Sequence, residues 1–190
     1  TGPFAPPYEP GLDQISVLAD VDGEMQIEGT VPVCEPGVVH LMALSPDGDT
    51  AGAAGRDEGQ WKIFVVRGLG AGAGAVTAIL PVEKQVQSLA ISPDGTWAAF
   101  GTAGLDLDVG IVTGLPDAPT WATTVPLGPL ADAPGRPPAW PGVLSIDVSP
   151  SGLQLVLLKV FNDCTKPKNS RSSVQVVDQP LLGGDALVHP

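Results

Sequence analysis

Apolar residues fall in short runs along this chain, and each run is closed by Gly, Pro or Asp. Residues 38–44, 86–91 and 143–148 are three such runs, each leading into a similar turn: Ser45-Pro46-Asp47-Gly48, Ser92-Pro93-Asp94-Gly95 and Ser149-Pro150-Ser151-Gly152. Ser at the first position offers its hydroxyl to the turn backbone. Pro at the second presets φ, and Gly at the fourth relieves the exit, so each stretch reads as a type I turn. A second run follows each turn, at 50–54, 96–101 and 153–158. Strand, tight turn and strand make a hairpin, and runs this short between breakers do not make helices. Small residues dominate the second run of the first two copies (Ala51-Gly52-Ala53-Ala54, then Ala98-Ala99 and Gly101). They predict a crowded place where another sheet comes close.

Two more strands follow each hairpin: 61–66 and 75–80, then 107–112 and 120–125, then 173–178 and 186–188. Residues 14–19 and 25–31 read as the third and fourth strands of an incomplete unit. The turns are 47 residues apart from Ser45 to Ser92 and 57 from Ser92 to Ser149. A repeat of roughly 40 to 50 residues with four short strands per unit is the signature of a propeller blade. The expected fold is therefore all-β: a β-propeller of four-stranded antiparallel blades, about three blades plus an outer half-blade. The organisation read from the pattern is an extended Pro-rich arm (1–13), a partial blade (14–37), a blade (38–85), a blade ending in a Pro-rich loop (86–142, loop 126–142) and a blade with an inserted loop (143–190, loop 159–172).

Over residues 38–190 the pattern resembles WD-repeat proteins and their bacterial relatives, in which the innermost strand of a blade runs into Ser-Pro-Asp-Gly. The Trp-Asp and Gly-His pairs of strict WD repeats are absent from this sequence, so the resemblance is to divergent, bacterial-type propellers. It implies a ring of blades, and closed rings have four to eight. Three blades and a remnant leave sheet faces bare. The expectation is that another chain, another copy or a further segment completes the ring.

Composition sharpens this picture. The chain has 190 residues with 24 Gly and 21 Pro, a punctuation density that suits short strands. Its formal net charge is −12, which repels a phosphate backbone and argues against nucleic acid as a partner. No apolar stretch reaches the ~18 residues of a transmembrane helix. The extended, Pro-rich start and the scarcity of Lys beside abundant Gly, Ala and Pro suggest an exported, extracytoplasmic protein, periplasmic or secreted.

Candidate chemistry is sparse. The two histidines, His40 and His189, are far apart, and Cys34 and Cys164 lack metal-ligand spacing. Those cysteines either bond to each other or stay free. Gly70-x-Gly72 lacks the third glycine and the helix of a dinucleotide site, so it reads as a connection. Asp106 and Asp108 alternate with leucines as half of a calcium site or as an exposed strand face. Four of nine basic residues, Lys159, Lys166, Lys168 and Arg171, cluster as a solvated loop or a docking site. The candidate partner contacts are Trp140, Lys166, Lys168 and Arg171. No catalytic residue, metal or cofactor is expected. Three readings follow: a propeller scaffold or protein-binding subunit of a larger assembly, a propeller enzyme (hydrolase, lactonase or dehydrogenase subunit) acting at the channel mouth, or a surface-layer or filament unit.

Overall fold

The computed structural model describes residues 13–19, 26–34, 39–104, 107–127, 139–163 and 171–189. Its strands run in chain order as antiparallel meanders. A two-stranded sheet comes first, β1 (Asp13–Ala19) with β2 (Gln26–Cys34). The first blade is β3 (Val39–Leu44), β4 (Thr50–Asp57), β5 (Gln60–Arg67) and β6 (Ala75–Val82). The second is β7 (Val86–Ile91), β8 (Trp97–Thr102), β9 (Asp108–Thr113) and β10 (Thr120–Pro126). The third is β11 (Ala139–Val148), β12 (Gln154–Asp163), β13 (Arg171–Asp178) and β14 (Leu187–His189). Over the described residues the fold is all-β, with three four-stranded blades and an outer pair.

The Ser-Pro turns close as their composition dictates. Gly48, Gly95 and Gly152 each donate an amide hydrogen bond to the carbonyl of the turn serine, at 2.9, 2.9 and 2.8 Å. Their φ values of 73°, 71° and 71° favour glycine. The serine hydroxyls accept from the amides of Thr50, Trp97 and Gln154 at 2.9, 3.1 and 3.1 Å, tying turn to second strand. In the first two turns the serine also donates to the aspartate, Ser45 to Asp47 at 2.5 Å and Ser92 to Asp94 at 2.6 Å. These bonds, with amides from Asp49 and Thr96, hold both carboxyls below the usual aspartate range. The third turn carries Ser151 instead and replaces the pair with a hydroxyl–hydroxyl contact of 3.1 Å.

Each innermost strand also carries a bulge at the same distance from its turn. The register shifts between Val39 and Leu41, between Val86 and Ser88, and between Val143 and Ser145. His40, Gln87 and Leu144 are the extra residues. A bulge bends and twists its strand, so three in equivalent places curve all three blades alike.

The blades pack face to face through three apolar layers. Ile15, Val31 and Val33 cover Ala51, Ala53, Phe64, Val66 and Leu69 of the first blade. Its other face places Ala54, Ile63, Val65 and Leu80 against Val86, Ala98, Phe100 and Val112 of the second. The second blade's far face sets Trp97, Ala99, Val109 and Ile111 against Val143, Ile146, Leu155 and Leu157 of the third. The small residues of the sequence lie at these contacts. A Cβ on Gly52 would meet Leu89 Cδ2 of the next blade at 3.1 Å, and one on Gly101 would meet Val143 Cβ of the next at 2.5 Å.

The ladders run further than the sequence pattern implies. β11 begins inside the Pro-rich segment, and Ala139–Gly142 pair with residues 160–163 of the expected inserted loop. Pro141 lies on the edge strand of its sheet, bridged to the second blade through Gly142 and Ala103, and proline is tolerated at such an edge. Gly68–Gly74, expected as a plain connection, forms a short 3-10 turn over Leu69–Ala71 flanked by Gly68 and Gly72 in the left-handed region.

Candidate functional site

The two ends of the stack differ from its interior. Counted from the turns, Gly52, Ala99 and Val156 are equivalent, and so are Ala54, Gly101 and Leu158. In the first two blades these positions are small and receive the innermost strand of the following blade. In the third blade they are Val156 and Leu158, 43% and 36% exposed. Their strand neighbours Leu155 and Leu157 are fully buried against the second blade. Alternation along β12 thus gives one packed face and one bare face.

Cross-strand pairing extends the bare face. Val174 pairs with Leu158 and Val176 with Val156 across β12 and β13. Leu144 at the bulge, Val174 and Leu187 are each at least half exposed. One end of this apolar field is acidic. Asp147 pairs with Val156, and Asp178 pairs with Gln154 and Leu187. Gln154 donates to Asp178 at 2.7 Å and His189 Nε2 lies 2.9 Å from its other oxygen. The Gln154 bond, then His189, holds the Asp178 carboxyl below the usual range.

The opposite end of the stack is bare in a complementary way. Met42 and Leu44 of β3 are equivalent to Leu89 and Ile91, which press on Gly52. They are 57% and 52% exposed. β1 and β2 cover that face at Ala51, Ala53, Phe64, Val66 and Leu69 and leave Met42 and Leu44 exposed.

A second feature lies between the first and second blades. A hollow of about 290 Å³ is lined by Pro81, Val82, Lys84, Thr102, Asp108 and Trp121, among others. Phe100 forms its floor, and Gly110 makes room for that ring, since a Cβ there would fall within 2.7 Å of three of its atoms. The Trp121 indole meets Phe100 edge-on at 5.0 Å and is 41% exposed. Asp108 accepts from Lys84 Nζ at 2.5 Å and from the Thr102 hydroxyl at 2.6 Å. A neighbouring hollow of about 510 Å³ shares Pro81, Val82 and Glu83 and reaches Trp61.

The backbone of Trp140 lies in β11 opposite Asn162, and that of Arg171 opens β13 opposite Phe161, but their side chains lie outside the description. Cys34 ends β2. Lys166, Lys168, Cys164 and Asp106 lie outside the described residues. Lys159, read as part of a basic loop, is instead inside β12 and 1% exposed, and its ammonium donates to the Leu127 carbonyl at 3.2 Å. Burial pushes its pKa below the usual lysine value. His40 is exposed, its ring 5.8 Å from that of Trp61, and His189 joins Asp178 as described. Among the described residues, no three His, Cys, Asp or Glu side chains group as metal ligands do. No helix there is long and apolar enough to cross a membrane.

No protein-family model and no curated protein matches the chain. Solved structures do. A protein from Lactobacillus plantarum matches at 18% identity with a TM-score of 0.56, over 93% of this chain and 50% of its own. The tricorn protease matches at 15% identity and TM-score 0.41, over 74% of this chain and 13% of its own. KlHsv2 with loop 6CD replaced by a Gly-Ser linker matches at 15% and 0.45, over 82% and 50%. With its four-stranded antiparallel blades packed face to face, the present fold is a β-propeller arc. The chain spans about half the length of the L. plantarum protein.

Proposed function

We propose that this chain is a non-catalytic propeller scaffold whose last blade is covered, in the working assembly, by a further four-stranded blade. The observation that carries this is the outer face of β11–β14, with Val156 and Leu158 where the interior blades carry glycine and alanine. The face continues a stack of three blade-to-blade layers, so a sheet is the shape that covers it. Large residues already fill the positions that elsewhere receive an innermost strand. The covering strand therefore carries small residues there, reversing the interior pattern. The acidic end, Asp147 and Asp178, calls for a basic residue opposite. A second copy of a chain with net charge −12, offering Met42 and Leu44, fits neither demand.

The covering blade belongs to the same polypeptide or to a partner chain. The scarcity of Lys and the wealth of Gly, Ala and Pro favour an extracytoplasmic setting. Light scattering on the chain alone tests the reading. Bare apolar faces are expected to drive heterogeneous, non-specific association beyond one chain mass without a defined dimer, and the double variant Val156→Asp, Leu158→Asp is expected to reduce it. A wild-type chain that is monodisperse at the mass of one copy, with a cooperative melt, overturns it.

A further inference from the structure

We infer that the cleft between the first and second blades, built on Trp121 and Asp108, is a binding site for a neutral sugar chain. This does not rest on the scaffold reading, since the cleft lies at a blade-to-blade layer already closed within the chain.

The cleft is lined by the end of β6, the connection at Glu83 and Lys84, and β8, β9 and β10 of the second blade. Inside, Phe100 is buried at 3% exposed against the first blade. Further out, the second blade's face is open, and the Trp121 indole stands there above the Phe100 floor. An exposed aromatic platform beside mixed polar groups suits a pyranose ring. Its C–H face is weakly electropositive and packs on the electron-rich face of an indole.

The polar groups fit hydroxyls better than a peptide backbone. Around the platform stand the Glu83 and Asp108 carboxylates, the Lys84 ammonium, and the hydroxyls of Thr102 and Thr124. Each Asp108 oxygen takes one hydrogen bond, from Lys84 or Thr102, and keeps acceptor capacity for another. A sugar hydroxyl both donates and accepts, so it satisfies carboxylate and ammonium at once. The backbone around the floor is engaged in ladder pairs, Gly110 with Phe100 on one side and with Thr124 on the other. A peptide strand would find little main-chain pairing here.

Size and charge narrow the class further. The hollow at Trp121, about 290 Å³, lies near the lower end of ligand sites, which run from about 300 Å³ upward. It is continuous in lining with the hollow at Trp61 through Pro81, Val82 and Glu83. Two adjoining hollows, each with an indole, suit a linear chain of sugar units more than a single compact molecule. The carboxylates and the net charge of −12 disfavour an acidic polysaccharide.

The test titrates the 190-residue chain with cellotriose, maltotriose and chitotriose, and with decaproline as the competing chemistry, by calorimetry and tryptophan fluorescence. At least one trisaccharide is expected to bind at millimolar concentration or below and to change the fluorescence. Trp121→Ala is expected to weaken that binding by about tenfold or more, while Trp121→Phe, which keeps an aromatic face, weakens it less. Unchanged melting of both variants separates lost binding from lost folding, and a Trp121→Ala that melts early leaves the Phe variant and an Asp108→Asn variant to carry the comparison. No binding of any trisaccharide at millimolar concentration overturns the inference. So does binding unaffected at Trp121 and Asp108, or binding of decaproline alone.

Discussion

Gly101→Ala is expected to lower the stability of the chain by about 1–3 kcal/mol, and Gly101→Val by more. The added Cβ would sit 2.5 Å from both Ser88 Oγ and Val143 Cβ, and 2.6 Å from Val143 Cγ1. Val143 is fully buried, and its β-carbon is close to the backbone and has little room to swing away. The second and third blades must therefore separate locally. The Ser88 hydroxyl, which donates to the Val143 carbonyl at 2.7 Å, loses its geometry as well, adding roughly 1 kcal/mol. Gly52→Ala is a graded comparison. Its nearest neighbour is the end of a leucine side chain, Leu89 Cδ2 at 3.1 Å, which can give by a few tenths of an ångström. Urea denaturation of both variants checks the order. A Gly101→Ala protein within ~0.5 kcal/mol of wild type would mean that the blades are not packed this closely.

Two adjacent leucines on β12 should behave in opposite ways. Leu157 is fully buried between the second and third blades. Leu157→Ala removes that packing and leaves a cavity, at an expected cost of about 2–5 kcal/mol. Leu158, one residue on, faces out at 36% exposed. In the chain alone, Leu158→Ala is expected to stay within about 0.5 kcal/mol of wild type. The same denaturation series reads both. Equal large losses would show that the outer face of β12 is already packed within the chain.

Much of the fold was legible because its signals are local. The turn residues Ser45, Pro46 and Gly48, and their repeats, sit within four positions of one another and close by bonds among themselves. The run Ala51-Gly52-Ala53-Ala54 announces close approach of another sheet because only small side chains allow it. The equivalent Val156 and Leu158 were visible as a departure, but which face of β12 they occupy depends on register. The bulges at His40, Gln87 and Leu144 leave no mark in composition, since one is cationic when protonated, one polar and one apolar. The Pro-rich stretch before Val143 looks like a loop. An innermost strand, however, is an edge of its sheet, and proline is tolerated at an edge. Lys159 belongs by charge to the cluster with Lys166, Lys168 and Arg171, yet strand alternation turns it inward to Leu127 O, 32 residues earlier. The cleft joins Pro81, Phe100, Asp108 and Trp121 from four strands of two blades, and no local pattern links them.

The central claim is that another blade covers the outer face of β11–β14. The measurement closest to it is a photo-cross-link from position 158 in cells that make the protein. With Leu158→p-benzoylphenylalanine in place, irradiation and peptide mapping identify what lies against that face. The account predicts a cross-link to a strand of a further blade, on the same polypeptide or another, carrying Gly or Ala where it meets Val156 and position 158. A cross-link to a helical segment or to β11–β14 of a second copy, or no cross-link to protein, would contradict it.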